Sequence, residues 1–160
     1  EALESAEFPK ELETLGGAAF GGCKGIKKVK FAKGSVLKSI GNHCFRGCES
    51  IEEVELPDSV EKVGVSAFAD CKALKKLILS DKLTSVGKEA FLRCGKITSA
   101  GPKGGKKNKF NLEFPWSVKI PENAFSGLKS LKQVVLPETV TEIGKNAFKN
   151  IHRKARIIKK

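Results

Sequence analysis

Phenylalanine returns in this chain at Phe20, Phe45, Phe68, Phe91, Phe125 and Phe148, at intervals of 25, 23, 23, 34 and 23 residues. A period of this length is the signature of a solenoid, in which each unit is too small to bury its own apolar face and becomes stable only against its neighbours. Function is therefore sought on the surface of a stack and not in a globular pocket.

The neighbours of each ring keep the same beat. Small residues precede the rings (Ala19, Cys44, Ala67, Ala90, Ala124, Ala147), and Gly16, Gly41, Gly64, Gly87 and Gly144 stand four residues ahead, with Pro121 the exception. An aliphatic lies five residues ahead every time (Leu15, Ile40, Val63, Val86, Ile120, Ile143), and Cys23, Cys48, Cys71, Cys94, Leu128 and Ile151 follow three after. Four of the five cysteines thus share one repeat position and read as a ladder of buried apolar thiols. Structural zinc wants close cysteine pairs, and the single close pair, Cys44 and Cys48 beside His43, leaves no metal expected.

At 160 residues the chain is long enough for one domain with a real core. No run nears the roughly 18 apolar residues of a membrane span, and no basic stretch followed by an apolar one opens the chain as a signal peptide would. The net charge of +12 is localised: residues 95 to 112 hold five Lys and no acid, and residues 145 to 160 hold seven Lys or Arg and no acid. The remaining body is neutral, with an acidic first unit, so the array starts acidic and finishes basic.

Within residues 74 to 91, Leu77 and Leu79 alternate about Ile78 as strand residues do. Pro57 and Pro137 follow the same position in sister units and end the strand, because proline cannot donate to a ladder. A second short extended piece ends at the glycine, and the segment from Ala-Phe to Cys is expected to make one helical or 3₁₀ turn with ring and thiol inside. Strands of successive units then stack in parallel about 4.8 Å apart. Asp58, Asp70 and Asp81 fall at turns or helix starts, where capping accounts for them.

The segments IEEVELPDSVEKVGVSAFADC, LKKLILSDKLTSVGKEAFLRC and LKQVVLPETVTEIGKNAF resemble the BspA-like, or treponemal-type, leucine-rich repeats, and the likeness reaches almost the whole chain. The resemblance implies an α/β repeat solenoid, a right-handed curved stack with a parallel concave β-sheet and helical or 3₁₀ turns on the convex side. Residues 1–160 make one domain of about six 23-residue units, with a basic cap over 149–160. The fifth unit is lengthened by 11 residues within 95–119, and its residues 101–111, rich in Gly, Pro and Lys, read as a solvated loop. Insertions of this kind emerge on one face and often form a binding edge.

Catalysis finds no constellation here. Hydrolytic chemistry needs a nucleophile, a base and a group that orients the base, and the chain has only His43, a turn residue, and His152, in the basic tail. The stretch GPKGGKK lacks the phosphate-loop spacing. The chain is therefore read as a non-enzyme with no cofactor, metal or small-molecule substrate.

Binding is better supported. By phase the residues pointing outward from the strands are Lys28 and Lys30, Glu53 and Glu55, Lys76 and Ile78, Ser99 and Gly101, and Gln133 and Val135, with opposite charges side by side on neighbouring strands. This surface is either a self-satisfied solvated face or a contact surface for a protein. Trp116, the single Trp, supplies either an aromatic anchor flanked by Lys103, Lys106, Lys107, Lys109 and Lys119, or a plug for the broken repeat with Phe110 and Phe114. The leading expectation is a monomeric protein-binding or adhesion module; the resemblance implies surface display or secretion and a host or neighbouring-cell protein as partner. The alternatives are polyanion binding through the 103–109 loop and the 153–160 tail, and an architectural segment of a longer array.

Overall fold

A computed structural model describes residues 3–102, 111–113, 119–136 and 140–159. Each unit opens with a strand of the long sheet: β1 (Ser5–Phe8), β3 (Lys28–Phe31), β5 (Glu53–Glu55), β7 (Lys76–Leu79), β9 (Ser99–Pro102), β12 (Gln133–Leu136) and β14 (Arg156–Lys159). The second extended pieces are two residues each: β2 (Thr14–Leu15), β4 (Ser39–Ile40), β6 (Lys62–Val63), β8 (Ser85–Val86), β11 (Lys119–Ile120) and β13 (Glu142–Ile143). The long sheet is parallel, in the order β1-β3-β5-β7-β9-β10-β12-β14, where β10 is Asn111–Glu113; β2-β4-β6-β8 and β11-β13 form two short sheets.

Strand β10 (Asn111–Glu113) is the contribution of the lengthened unit. Leu112 registers with Ala100 on one side and with Val134 on the other, so the fifth unit gives the long sheet two strands where the others give one. The ends of the stretch expected to be loop, Gly101, Pro102 and Asn111, are therefore strand residues; Lys103 to Phe110 lie outside the described residues.

The rings form one column. Successive centroids from Phe20 to Phe148 stand 5.3–5.8 Å apart with interplanar angles of 7–16°. Phe45, Phe68, Phe91 and Phe125 are no more than 1% exposed. Around them close Ile40, Val63, Leu77, Leu79, Ile97 and Leu131, all buried, which makes the interior a continuous apolar rod. At about 25 cal/mol per Å² of apolar surface, this burial is the main favourable term in folding.

The expected helical or 3₁₀ turns do not form: the segment around each ring is a run of turns. The residues two before each ring (Ala18, His43, Ser66, Glu89, Asn123, Asn146) and two after it (Gly22, Gly47, Asp70, Arg93, Gly127, Asn150) all have φ between 51° and 83°. Left-handed residues at this spacing interrupt the right-handed run that a helix needs. They also turn alternate N–H groups out of the coil. Ala18, Phe20 and Gly22 donate to the carbonyls of Asn42, Cys44 and Arg46 in the next coil, and the same three bonds recur at all five junctions, at 2.7–3.1 Å. Asp70 is accordingly a left-handed turn residue and not a helix start.

The glycines four residues ahead of the ring mark where coils approach most closely. A Cβ on Gly64 would stand 2.6 Å from the backbone nitrogen of Asn42. Its own N–H donates to the carbonyl of Ile40 at 2.8 Å, which draws the two backbones together.

Candidate interaction surface

Along the long sheet the side chains alternate between the Phe column and solvent. Val29, Val54 and Leu77 point inward and are buried, which leaves Lys28, Lys30, Glu53, Glu55 and Lys76 exposed on the outer face. Ile78, Gln133 and Val135 are half-buried on the same face. Parallel register sets Lys28 beside Glu53, Glu53 beside Lys76, and Glu55 beside Ile78. The structure thus brings these predicted residues onto one surface; Gln133 and Val135 join it beyond β9 and β10. Lys103, Lys106, Lys107, Lys109 and Trp116, with Phe110 and Phe114, lie outside the described residues.

Ion pairs on this face and at its border link units one repeat apart. Lys27 bonds Glu4 at 3.1 Å, Lys30 bonds Glu7 at 2.8 Å, Lys75 bonds Glu52 at 3.0 Å, and Lys76 bonds Glu53. The Lys30 ammonium holds the Glu7 carboxyl below its ordinary range. Elsewhere, Glu49 lies between Lys24 at 3.6 Å and Lys72 at 3.1 Å, and the hydrogen bond from Lys72 lowers its pKa first. A two-pronged pair joins Asp70 and Arg93 on the turn side, a link that charge patterning on the strands did not reveal.

The thiols form the inward ladder expected of them. Cys48, Cys71 and Cys94 are buried, and their Sγ–H groups donate to the carbonyls of Phe20, Phe45 and Phe68 at 3.1, 3.3 and 3.0 Å. All five cysteines are free. Burial pushes the Cys44 and Cys48 thiols up to about 12, and the neighbouring Cys94 together with burial raises Cys71 further. A thiol that resists ionisation is a poor nucleophile and a poor metal ligand. Among the described residues no cluster of three or more His, Cys, Asp or Glu could hold a metal ion. His43 is a half-buried turn residue whose Nδ1 has no hydrogen-bond partner, and the Nδ1 of His152 accepts from the Lys154 amide at 3.1 Å. No described helix is long and apolar enough to cross a membrane.

Stacked parallel coils with an L-x-x-L-x-L strand, an inward ring and a solvated strand face define a leucine-rich-repeat solenoid. Within that class the chain belongs to the BspA type leucine rich repeat region family, whose model matches six copies over residues 1–103 and 105–159. The fold is similar to that of a leucine-rich repeat protein of T. pallidum, at a TM-score of 0.66 and 19% identity, over 88% of this chain and 73% of that one. A leucine-rich repeat protein from Bacteroides ovatus matches at a TM-score of 0.60 and 22% identity, over 91% of this chain and 43% of that one. The pneumococcal vaccine antigen PcpA matches at 0.52 and 27% identity, over 92% of this chain and 28% of that one. Among curated proteins no match is found.

Proposed function

We propose that this chain is a non-catalytic interaction module that binds a protein partner across the outer face of the long sheet, at a cell surface or outside the cell. The observation that carries this reading is the mixture on that face: half-buried Ile78 stands beside exposed Glu55 and on the strand of exposed Lys76, and half-buried Val135 pairs with half-buried Ile158 beyond β9 and β10. Apolar patches bordered by charges are what protein interfaces use for anchoring and for register. The description of one similar structure as a vaccine antigen supports an exposed location.

The test is binding to immobilised extracellular-matrix proteins, heparin and DNA, with wild type and an Ile78→Glu, Val135→Glu double variant. The expected result is protein capture that the double variant loses and that changes little with salt. Capture confined to heparin and DNA, weakening by about three to five decades between 50 and 200 mM salt, identifies a polyanion binder instead. Arg153, Lys154 and Arg156, all exposed, are the described residues that would carry it.

A further inference from the structure

The second unit is two residues longer than the third and fourth: 16 residues separate Val29 from Phe45, against 14 from Val54 to Phe68 and from Leu77 to Phe91. The surplus falls in Ala32 to Ser35, where Gly34 takes φ 76°. Its effect is to part the long sheet. Strand β3 follows β1 through Phe31, with the Ala32 amide continuing to the Phe8 carbonyl at 3.0 Å. Strand β5 follows β7 instead, with the Leu56 amide reaching the Ile78 carbonyl at 2.9 Å. Between themselves β3 and β5 register only at Lys28 and Glu53. The seam closes again at Ser59, whose Oγ lies 2.8 Å from the carbonyl oxygens of both Ser35 and Leu37.

Between these closures lies a groove of about 1080 Å³. Phe31 is the accessible apolar surface of its floor, with buried Val29 and Leu56 beneath. Phe31 is half-buried, whereas Leu56 and Leu79 at the same strand position are 1% exposed. One rim carries Lys28, Lys30 and Lys33, the other Glu53 and Asp58. The ion pairs turn away from the opening: Lys27 and Lys30 reach back to Glu4 and Glu7, while Glu52 and Glu53 reach forward to Lys75 and Lys76. Among the described residues no ion pair crosses the groove, and the side chains of Lys28, Lys33 and Asp58 make none at all. At the same junction, away from the groove, Lys38 and Glu61 do meet across it at 3.2 Å.

We propose that this groove seats an extended peptide segment of a protein partner, with apolar side chains on the floor and an acidic and a basic side chain on the alternate positions. An extended chain sends successive side chains to opposite sides. The apolar set then covers Phe31, and the charged set stands together at the mouth of the groove, where the acid bends to the lysine rim and the base to the Asp58 rim. This rests on the outer face of the sheet being the interaction surface, and it names the chemistry of the partner there.

The test uses fluorescent octapeptides with Val or Thr at alternate positions and, between them, mixed Glu and Lys, all Glu, all Lys or all Ser, read by anisotropy. Mixed peptides are expected to bind best. Lys28→Gln and Asp58→Asn, both exposed and fold-neutral, each weaken binding about two- to fivefold, the range of a solvent-exposed charge pair. Deleting Lys33 and Gly34 restores the spacing of the neighbouring units and abolishes binding. Equal binding of all-Glu and mixed peptides, or affinity unchanged in both charge variants, overturns the proposal even if the deletion variant fails to fold. A protein partner lost on Ile78→Glu with Val135→Glu but indifferent to Lys28→Gln and Asp58→Asn removes the groove and leaves the wider surface standing.

Discussion

Arg93 clamps Asp70 across two adjacent coils, Nε to Oδ1 at 2.6 Å and Nη2 to Oδ2 at 2.7 Å, and both residues hold left-handed backbone conformations. The hydrogen bonds from Arg93 keep the Asp70 carboxyl below the usual aspartate range. A carboxyl depressed in the folded state stabilises above its unfolded pKa of about 3.9, and that stability is lost as the pH falls through the lower folded value. Arg93→Ala is expected to return the Asp70 titration, followed by carboxyl NMR shifts, to the ordinary range. Its cost at neutral pH is about 1 kcal/mol or less, because the guanidinium faces solvent.

Phe68→Ala empties the middle of the ring column, between Phe45 at 5.3 Å and Phe91 at 5.7 Å. A loss of about 3–5 kcal/mol is expected in urea denaturation. Phe148→Ala should cost clearly less, since that ring is only partly buried. Equal losses at the two positions would argue against a shared interior column.

Two glycines separate crowding from backbone strain. Gly64→Ala drives a methyl into the backbone of Asn42 and should cost about 3 kcal/mol, at the upper end for overpacking. Gly22→Ala meets no atom within 4 Å but must hold φ 75°, so about 1–2 kcal/mol is expected. Thermal unfolding of the pair is predicted to rank Gly64→Ala as the more damaging.

The thiol ladder links stability to alkaline pH. Cys44 and Cys48 have folded pKa values raised to about 12, so the stability they lend is complete below the unfolded value of about 8.5 and declines as pH rises from there towards 12. At pH 8 a thiol reagent should modify half-buried Cys23 first and spare Cys44, Cys48, Cys71 and Cys94 until denaturant is added. Prompt labelling of all five without denaturant would contradict the buried ladder.

The repeat made the core readable in advance: the rings, the glycines ahead of them and the strand alternation of Leu77 and Leu79 are each a one-letter consequence of burial or close approach. The turn geometry was harder, because Ala18, Ser66 and Glu89 carry no chemical sign of a left-handed backbone. The sign lay in their counterparts, since Gly22, Gly47, Gly127, Asn123, Asn146 and Asn150 are the residue types that tolerate positive φ. Strand β10 was hidden for another reason. Its three residues follow a Gly- and Lys-rich stretch, and only the pairing of Leu112 with Ala100 and Val134 reveals a place in the sheet. On the candidate surface, charge alternation along Lys28, Glu53 and Lys76 was visible. Which carboxylate each lysine takes depends on where the sheet parts, and the 25-residue interval between Phe20 and Phe45 does not say which strands separate.

The three bonds around each ring run one way, from the amides of one coil to the carbonyls of the next, whereas the glycine ahead of the ring donates back to the preceding coil. Around the ring each coil therefore has a donor side and an acceptor side, and because the three bonds are alike at every junction these sides are interchangeable. Whole units can be duplicated or deleted like links of a chain without remaking a joint, whereas a fraction of a unit has to be absorbed elsewhere. The lengthened fifth unit obeys that rule: it adds β10 to the long sheet, and the joint between Phe91 and Phe125 keeps the common pattern.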